Sequence, residues 1–298
     1  MSRHYYHKFQ QNHTRSIFVM LACLLGFNSA AHANTQHSIS ELLNAPAQIS
    51  RQNQTIYFNG LLTPDNASRL INEMNQAETR VLRVSSGGGY VDAALDIAEQ
   101  IVSRQLDIEI SSLCASSCAN YLFVAGNKKY ILPGAIVIWH GGADQKDFRE
   151  YRECKRAVST FTGSKREVNE KSIEASRLNA ERERALYAQV GVSSLLTRAG
   201  QEPKFLGRNV THSVEDMERL GLRGVTAEHG YGKPSFCKQV NKDRPSLALV
   251  CLEITPEMIA YERARVALGE ECASDGTLRI RTRRTPPVGI SSLRAVRD

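Results

Sequence analysis

Two serines in a row, Ser116 and Ser117, stand between two cysteines in the segment CASSCAN (114–120). The residues before them read as a strand and those after as an apolar helix, so the pair occupies a strand-to-helix turn. A serine there can present its hydroxyl to a cleft while the next backbone N–H faces a developing oxyanion. The bland role of such a serine is to cap the helix. His140 closes the apolar run AIVIWH and is followed by Gly141-Gly142. Parallel sheets place their sites at this kind of strand end. Beyond residue 33 the histidines are His37, His140, His212 and His229. That scarcity makes His140 the natural general base if one of the serines is a nucleophile. A third feature is SSGGGYV (85–91), a glycine-rich turn whose backbone N–H groups suit an anion or an oxyanion. Its glycines are consecutive, so it is not the dinucleotide fingerprint, and a plain structural turn is the competing reading. Neither the G-x-S-x-G elbow nor the G-x-x-x-x-G-K-[ST] phosphate loop occurs.

These residues need elements to hold them, and the region from 55 to 140 alternates accordingly. TIYFNGLL (55–62) is strand-like, and Pro64 opens a helix over 64–77 with Leu70, Ile71 and Met74 at helical spacing. RVLRVSS (80–86) is a second strand, and YVDAALDIAEQIVSR (90–104) an amphipathic helix. LDIEISSL (106–113) is a third strand, ASSCANYLFVAG (115–126) a turn into a buried helix, and KKYIL and AIVIWH two more strands around Pro133-Gly134. Strands separated by helices in this way predict an α/β fold with a mostly parallel sheet. Residues 144–190 are highly charged, with Phe148, Tyr151, Cys154, Val158 and Phe161 at three-to-four spacing, which predicts a long helical arm. The arm is either a solvated helix packed on its own domain or a projection that docks a second copy. SVEDMERLGL (213–222) is a compact helix; after 223 no periodicity is clear, and the tail 279–298 is basic and contains proline.

Composition sets the class. The chain of 298 residues is 42% hydrophobic and 23% charged, which excludes collagen-like and wholly disordered chains. Net charge is +7, but residues 1–33 hold Arg3, Lys8 and Arg15 and no acid, so +4 remains beyond them and no nucleic-acid partner is implied. Those first residues have a basic start, a short apolar run (16–26) and Ala31-His32-Ala33, the layout of a secretory signal cut near Ala33. The alternative is a retained membrane anchor over residues 16–30, for which the apolar run is shorter than the roughly 20 residues a span needs. Export to a periplasmic or extracellular space is oxidising, and Cys114, Cys118, Cys154, Cys237, Cys251 and Cys272 could form up to three disulfides. The one pair singled out is Cys237 with Cys251, because KQVNKDRPSLALV reads as a turn between two short extended runs. Cys114 and Cys118, if bridged, would brace the serine turn.

The order of glycine-rich turn, serine at a helix start and strand-end histidine resembles the Clp protease proteolytic subunit and its relatives in the crotonase-like superfamily. VSSGGGYVDAALDIAEQI is similar to that family's N-S-P-G-G-x-V-x-A-G-x-x-I segment. ASSCANYLFVAG is similar to A-A-S-M-G-A-x-L-L-x-A-G, and ILPGAIVIWHGG to A-L-P-x-x-R-I-M-I-H-Q-P. The likeness runs over roughly 55–142 and continues weakly to HSVEDMERLGLRG. It implies a ββα-repeat core with a helical arm and a cysteine-containing C-terminal extension. Its domain plan is a signal (1–33), a Clp-protease-like domain (34–228) and the extension (229–298). It also implies Ser117, rather than Ser116, as nucleophile, His140 as its base, and an oxyanion hole from Gly88, Gly89 and the N–H of Cys118. The activity implied is serine endopeptidase action on a peptide or unfolded protein, with no cofactor and no metal. Because an exported protein meets no ATP and the chain has no nucleotide motif, the reading is ATP-independent and no ATPase partner is implied. A homo-oligomer through the arm is the assembly expected if the arm is a projection.

One position departs from the pattern. Where the family carries its triad aspartate, this chain has Asn209 in GRNVTHS. An amide oxygen can hold the imidazole Nδ1–H but cannot balance an imidazolium, and the Asp-to-Asn change in a serine protease costs about 10⁴-fold in rate. Asp216 or Glu215 could serve instead. The alternatives are a weakly active or inactive scaffold protein, and crotonase-type chemistry on a thioester.

Overall fold

The computed structural model describes residues 46–76, 78–143, 170–201, 208–272 and 278–280. The expected signal segment, Cys154, the first part of the expected arm and most of the basic tail lie outside the described residues.

The hairpin β1 (Gln48–Gln52) and β2 (Thr55–Asn59) starts a sheet of seven strands. Helix α1 (Pro64–Gln76) leads to β3 (Val81–Ser86), and α2 (Val91–Arg104) to β4 (Asp107–Ala115). A π-helix (Cys118–Phe123) then leads to β5 (Lys129–Ile131) and β6 (Ile136–Ile138). The pair β1–β2 is antiparallel, and the pairs β2–β3, β3–β4, β4–β5 and β4–β6 are all parallel. The expected α/β class with a mostly parallel sheet is therefore observed. The buried faces explain it: Ile56 and Phe58, Leu82 and Val84, and Ile108 and Ile110 line one core with Leu70, Met74, Leu95, Ile97 and Ile101 of the crossover helices.

Strand β4 is forked, and the fork creates the site. Its first half pairs β5 through Ile108–Ile110, and its second half pairs β6 through Leu113–Ala115. Against β3 the register jumps from Val84↔Ile110 to Ser86↔Cys114. Such a bulge bends a strand and re-aims its tip. Here it brings Cys114 level with the end of β3, where the glycine turn begins.

The long helix α3 (Glu170–Val190) supplies the described part of the arm, and Glu183, Leu186 and Tyr187 on it are buried. The short helix α4 (Leu195–Arg198) precedes β7 (Asn209–Thr211), α5 (Val214–Arg219) and β8 (Val225–Thr226), which pairs β5. Beyond it come α6 (Pro234–Asp243), β9 (Leu249–Cys251), α7 (Pro256–Leu268) and the antiparallel pair β10 (Glu270–Cys272) with β11 (Leu278–Ile280). Strand β9 lies parallel to β7. Cys237, Leu247 and Leu249 close a second core over Leu113, Ala115, Ile136 and Ile138, the back of the strands that carry the site. No helix among the described residues is long and apolar enough to cross a membrane.

Among the described residues two disulfides are present, Cys114–Cys118 and Cys237–Cys251. The second pairing matches the expectation, but its setting does not. Cys237 sits in α6, not in an extended run, because Pro234 at the first helical turn and Val240 one turn after Phe236 favour a helix. Closing a loop of about 15 residues is worth about 3 kcal/mol. The double variant Cys237→Ser/Cys251→Ser is therefore expected to lose about that much stability in denaturant titration, and an unchanged midpoint would contradict it.

Candidate active site

The chain leaves β4 through Ser116, whose φ of +57° is left-handed and strained for a residue with a Cβ. The turn is held from both sides. Ser116 N–H donates to Ile138 O at 3.0 Å, and Ser116 O accepts from Asn120 N–H at 2.9 Å. The Cys114–Cys118 bridge, with Cα atoms 5.2 Å apart, encloses Ser116 and Ser117 in its small ring. Ser117 is 3% exposed, and its hydroxyl donates to Gly89 O at 2.9 Å. The expected buried helix after it is a π-helix, a form that recurs at functional sites.

The glycine turn meets this serine edge-on. Gly89 forms a parallel bridge with Leu62: Leu62 N–H donates to Gly88 O at 2.9 Å and Tyr90 N–H to Leu62 O at 2.7 Å. In that pattern the bridged residue turns its own N–H and C=O to the opposite side. For Gly89 that side is Ser117, as its carbonyl contact demonstrates. Gly88 N–H, by contrast, donates to the buried Ser86 Oγ at 3.1 Å. Gly88 also leaves no room for a side chain. A Cβ there would lie 2.6 Å from Ala115 O and 2.7 Å from Ser116 Cβ. The second amide at the site, Cys118 N–H, belongs to the first helical turn, where intrahelical acceptors are lacking.

His140 follows β6 as Ser117 follows β4. The register Ala115↔Ile138 and the Ser116–Ile138 bond carry both residues off the C-terminal ends of neighbouring parallel strands. Beyond β6, Trp139 and Val210 exchange two hydrogen bonds, of 2.8 and 3.0 Å, in an antiparallel bridge. His140 and Asn209 each stand one residue from this bridge, on the two segments it joins. Asn209 Nδ2 donates to Leu247 O at 2.6 Å, which leaves Oδ1 as the end able to accept from a ring N–H. Burial pushes the His140 imidazole below its ordinary value, with a hydrogen bond to its own backbone acting the other way. The ring is therefore neutral at pH 7 and fit to take a proton. A hydroxyl has one proton, and that of Ser117 is directed at Gly89 O.

The other candidates are occupied elsewhere. Asp216 accepts from Ser213 Oγ at 3.0 Å and pairs with Arg219 at 3.2 Å, while Glu215 pairs with Lys233 at 3.0 Å on the surface. His212 is fully buried, with its ring nitrogens 3.1 Å from Leu252 O and Leu196 O, and it lies against Trp139. It is a structural histidine. Among the described residues no group of three His, Cys, Asp or Glu could hold a metal ion.

Sequence reasoning missed Glu183, Asn120 and Tyr121. Glu183 accepts from Tyr121 OH at 2.7 Å and from Ala143 N–H at 2.6 Å. The signal was present as an acid in helical register with the apolar pair Leu186 and Tyr187, within an otherwise charged helix. No protein-family model matches the chain, and no curated protein matches it.

Proposed function

We propose that the chain is an exported, ATP-independent serine peptidase of the Clp-protease-like kind, acting on flexible or unfolded peptide. The observation that carries this reading is the buried Ser117 hydroxyl at a helix head, on a strained and disulfide-braced turn, set on Gly89 and one strand away from His140. In the proposed reaction Ser117 Oγ attacks a peptide carbonyl and its proton passes to His140. Gly89 N–H and Cys118 N–H hold the oxyanion. The C–N bond breaks, the imidazolium returns the proton to the leaving amine, and water then cleaves the ester by the same route. Asn209 Oδ1 would keep the ring in the Nδ1–H form, holding its orientation without the charge of an aspartate. Two disulfides favour an oxidising compartment and so agree with export.

A second reading, a non-catalytic scaffold on the same fold, draws on two observations: the Ser117 proton is directed at a carbonyl, and an amide occupies position 209. A fluorophosphonate probe separates the two. The mature protein is expected to be labelled near neutral pH, and Ser117→Ala is not. Absence of label on folded wild type from pH 6 to 9 would leave the scaffold.

A further inference from the structure

We infer that Glu183 is a positioning residue for His140, a buried acceptor that locks the segment after the histidine onto the helix that starts at Ser117. The inference rests on the Ser117/His140 reading above. After the Trp139–Val210 bridge, residues 141–143 leave the sheet with Gly141 buried and Gly142 and Ala143 half-buried, so backbone groups that lose ladder partners need others. Side chains supply them. Asn120 Nδ2 donates to Gly141 O, and Glu183 Oε2 accepts from Ala143 N–H at 2.6 Å.

The same carboxylate oxygen takes the Tyr121 hydroxyl at 2.7 Å, and Tyr187, one turn on from Glu183, donates to Asn120 O at 3.1 Å. Asn120 and Tyr121 lie three and four residues after Ser117 in one helix. Glu183 and Tyr187 thus tie both halves of the site to α3. Gly142 completes the fit: a Cβ there would lie 2.5 and 2.7 Å from the two carboxylate oxygens. Both phenols are pushed up, Tyr121 and Tyr187 alike, by burial first and then by the Glu183 charge, so both remain protonated donors.

The bland alternative is that Glu183 only holds α3 to the core. Burying a carboxylate is costly and is repaid only by good hydrogen-bond geometry. An apolar residue would pack α3 as well, but it would leave Ala143 N–H and Tyr121 OH without this acceptor. What Glu183 uniquely supplies is an oxygen reaching both the His140 segment and the Ser117 helix.

The test compares Glu183→Gln, Glu183→Asp and Glu183→Ala by fluorophosphonate labelling rate and by NMR titration of the His140 ring. Glutamine keeps an acceptor oxygen at full reach and is expected to label within about threefold of wild type. Aspartate is one methylene short and alanine has no acceptor. A misplacement on the order of 1 Å costs about 10²-fold, so both should label about 10- to 100-fold slower. In these two the His140 midpoint should rise toward its ordinary value of about 6.5 as the ring loosens into water. A folded alanine variant with wild-type labelling and an unmoved titration would overturn the inference, as would glutamine labelling slower than aspartate. If alanine does not fold, the glutamine and aspartate variants decide. If wild type takes no label, the peptidase reading falls alone, and the ring titration still reads the positioning.

Discussion

Replacing His140 by alanine is expected to slow acylation of Ser117 by about 10²- to 10⁴-fold, the usual contribution of a positioned base. The imidazole stands at the end of β6, beside the strand that delivers Ser117, and burial holds it in its neutral form at pH 7. The pH dependence follows from the same shift. Because the folded ring is pushed below its ordinary value of about 6.5, the base form is fully present at neutral pH and disappears only as pH falls through that lower value. Wild-type labelling should therefore hold down to about pH 6.5 and decline on the acid side. The alanine variant should lack that limb. Linkage has the same sign: the unfolded ring binds its proton first, so stability is complete above about pH 6.5 and lessens as pH falls from there. A profile measured from pH 5 to 8, together with melting temperatures at both ends, checks both statements. An acid limb retained in His140→Ala would assign the base elsewhere.

The second large effect is expected from Gly88→Ala, a change of one methyl group at a residue whose N–H is already committed to Ser86. The residue has φ +95°, and the new carbon would stand 2.6 Å from Ala115 O and 2.7 Å from Ser116 Cβ. Backbone strain of this kind costs about 1–3 kcal/mol by itself. The clash adds to it, because the obstacles are the turn itself, closed by the Cys114–Cys118 bridge. We expect a loss of several °C in melting temperature, at about 2–4 °C per kcal/mol for a chain this size. Labelling should fall by about 10²-fold or more, since the glycine turn and Ser117 can no longer meet at the present separation. Two buried elements in direct contact should respond together. If the variant melts and labels like wild type, the turn does not press on the serine.

The sequence alone determined the local half of this arrangement. The Pro64 helix, the stripe along Val91–Arg104 and the apolar runs that become β3, β4 and β6 all follow from periodicity, which depends only on neighbours within a few positions. The candidate residues were legible in the same way, because glycines before a helix and a serine at a helix head are short-range patterns. Strand β1, a polar five-residue strand with alternating half-exposure, gave too weak a signal to read. The helix at Cys237 was masked by the run NKDRPS (241–246) at its end, which reads as a turn.

Tertiary structure decided everything that depends on which distant segments meet. The fork in β4 is set by where β5 and β6 dock. Gly89 rather than Gly88 turns its amide toward Ser117 because Leu62 takes the other side. The orientation of the Asn209 amide is fixed by Leu247, far along the chain. Glu183 reads as a surface charge in a charged helix and is instead buried against Tyr121 and Ala143. Each of these is a hydrogen-bonding choice made by long-range neighbours. A local pattern specifies which face of an element is apolar, but not which polar groups will be sealed beneath it.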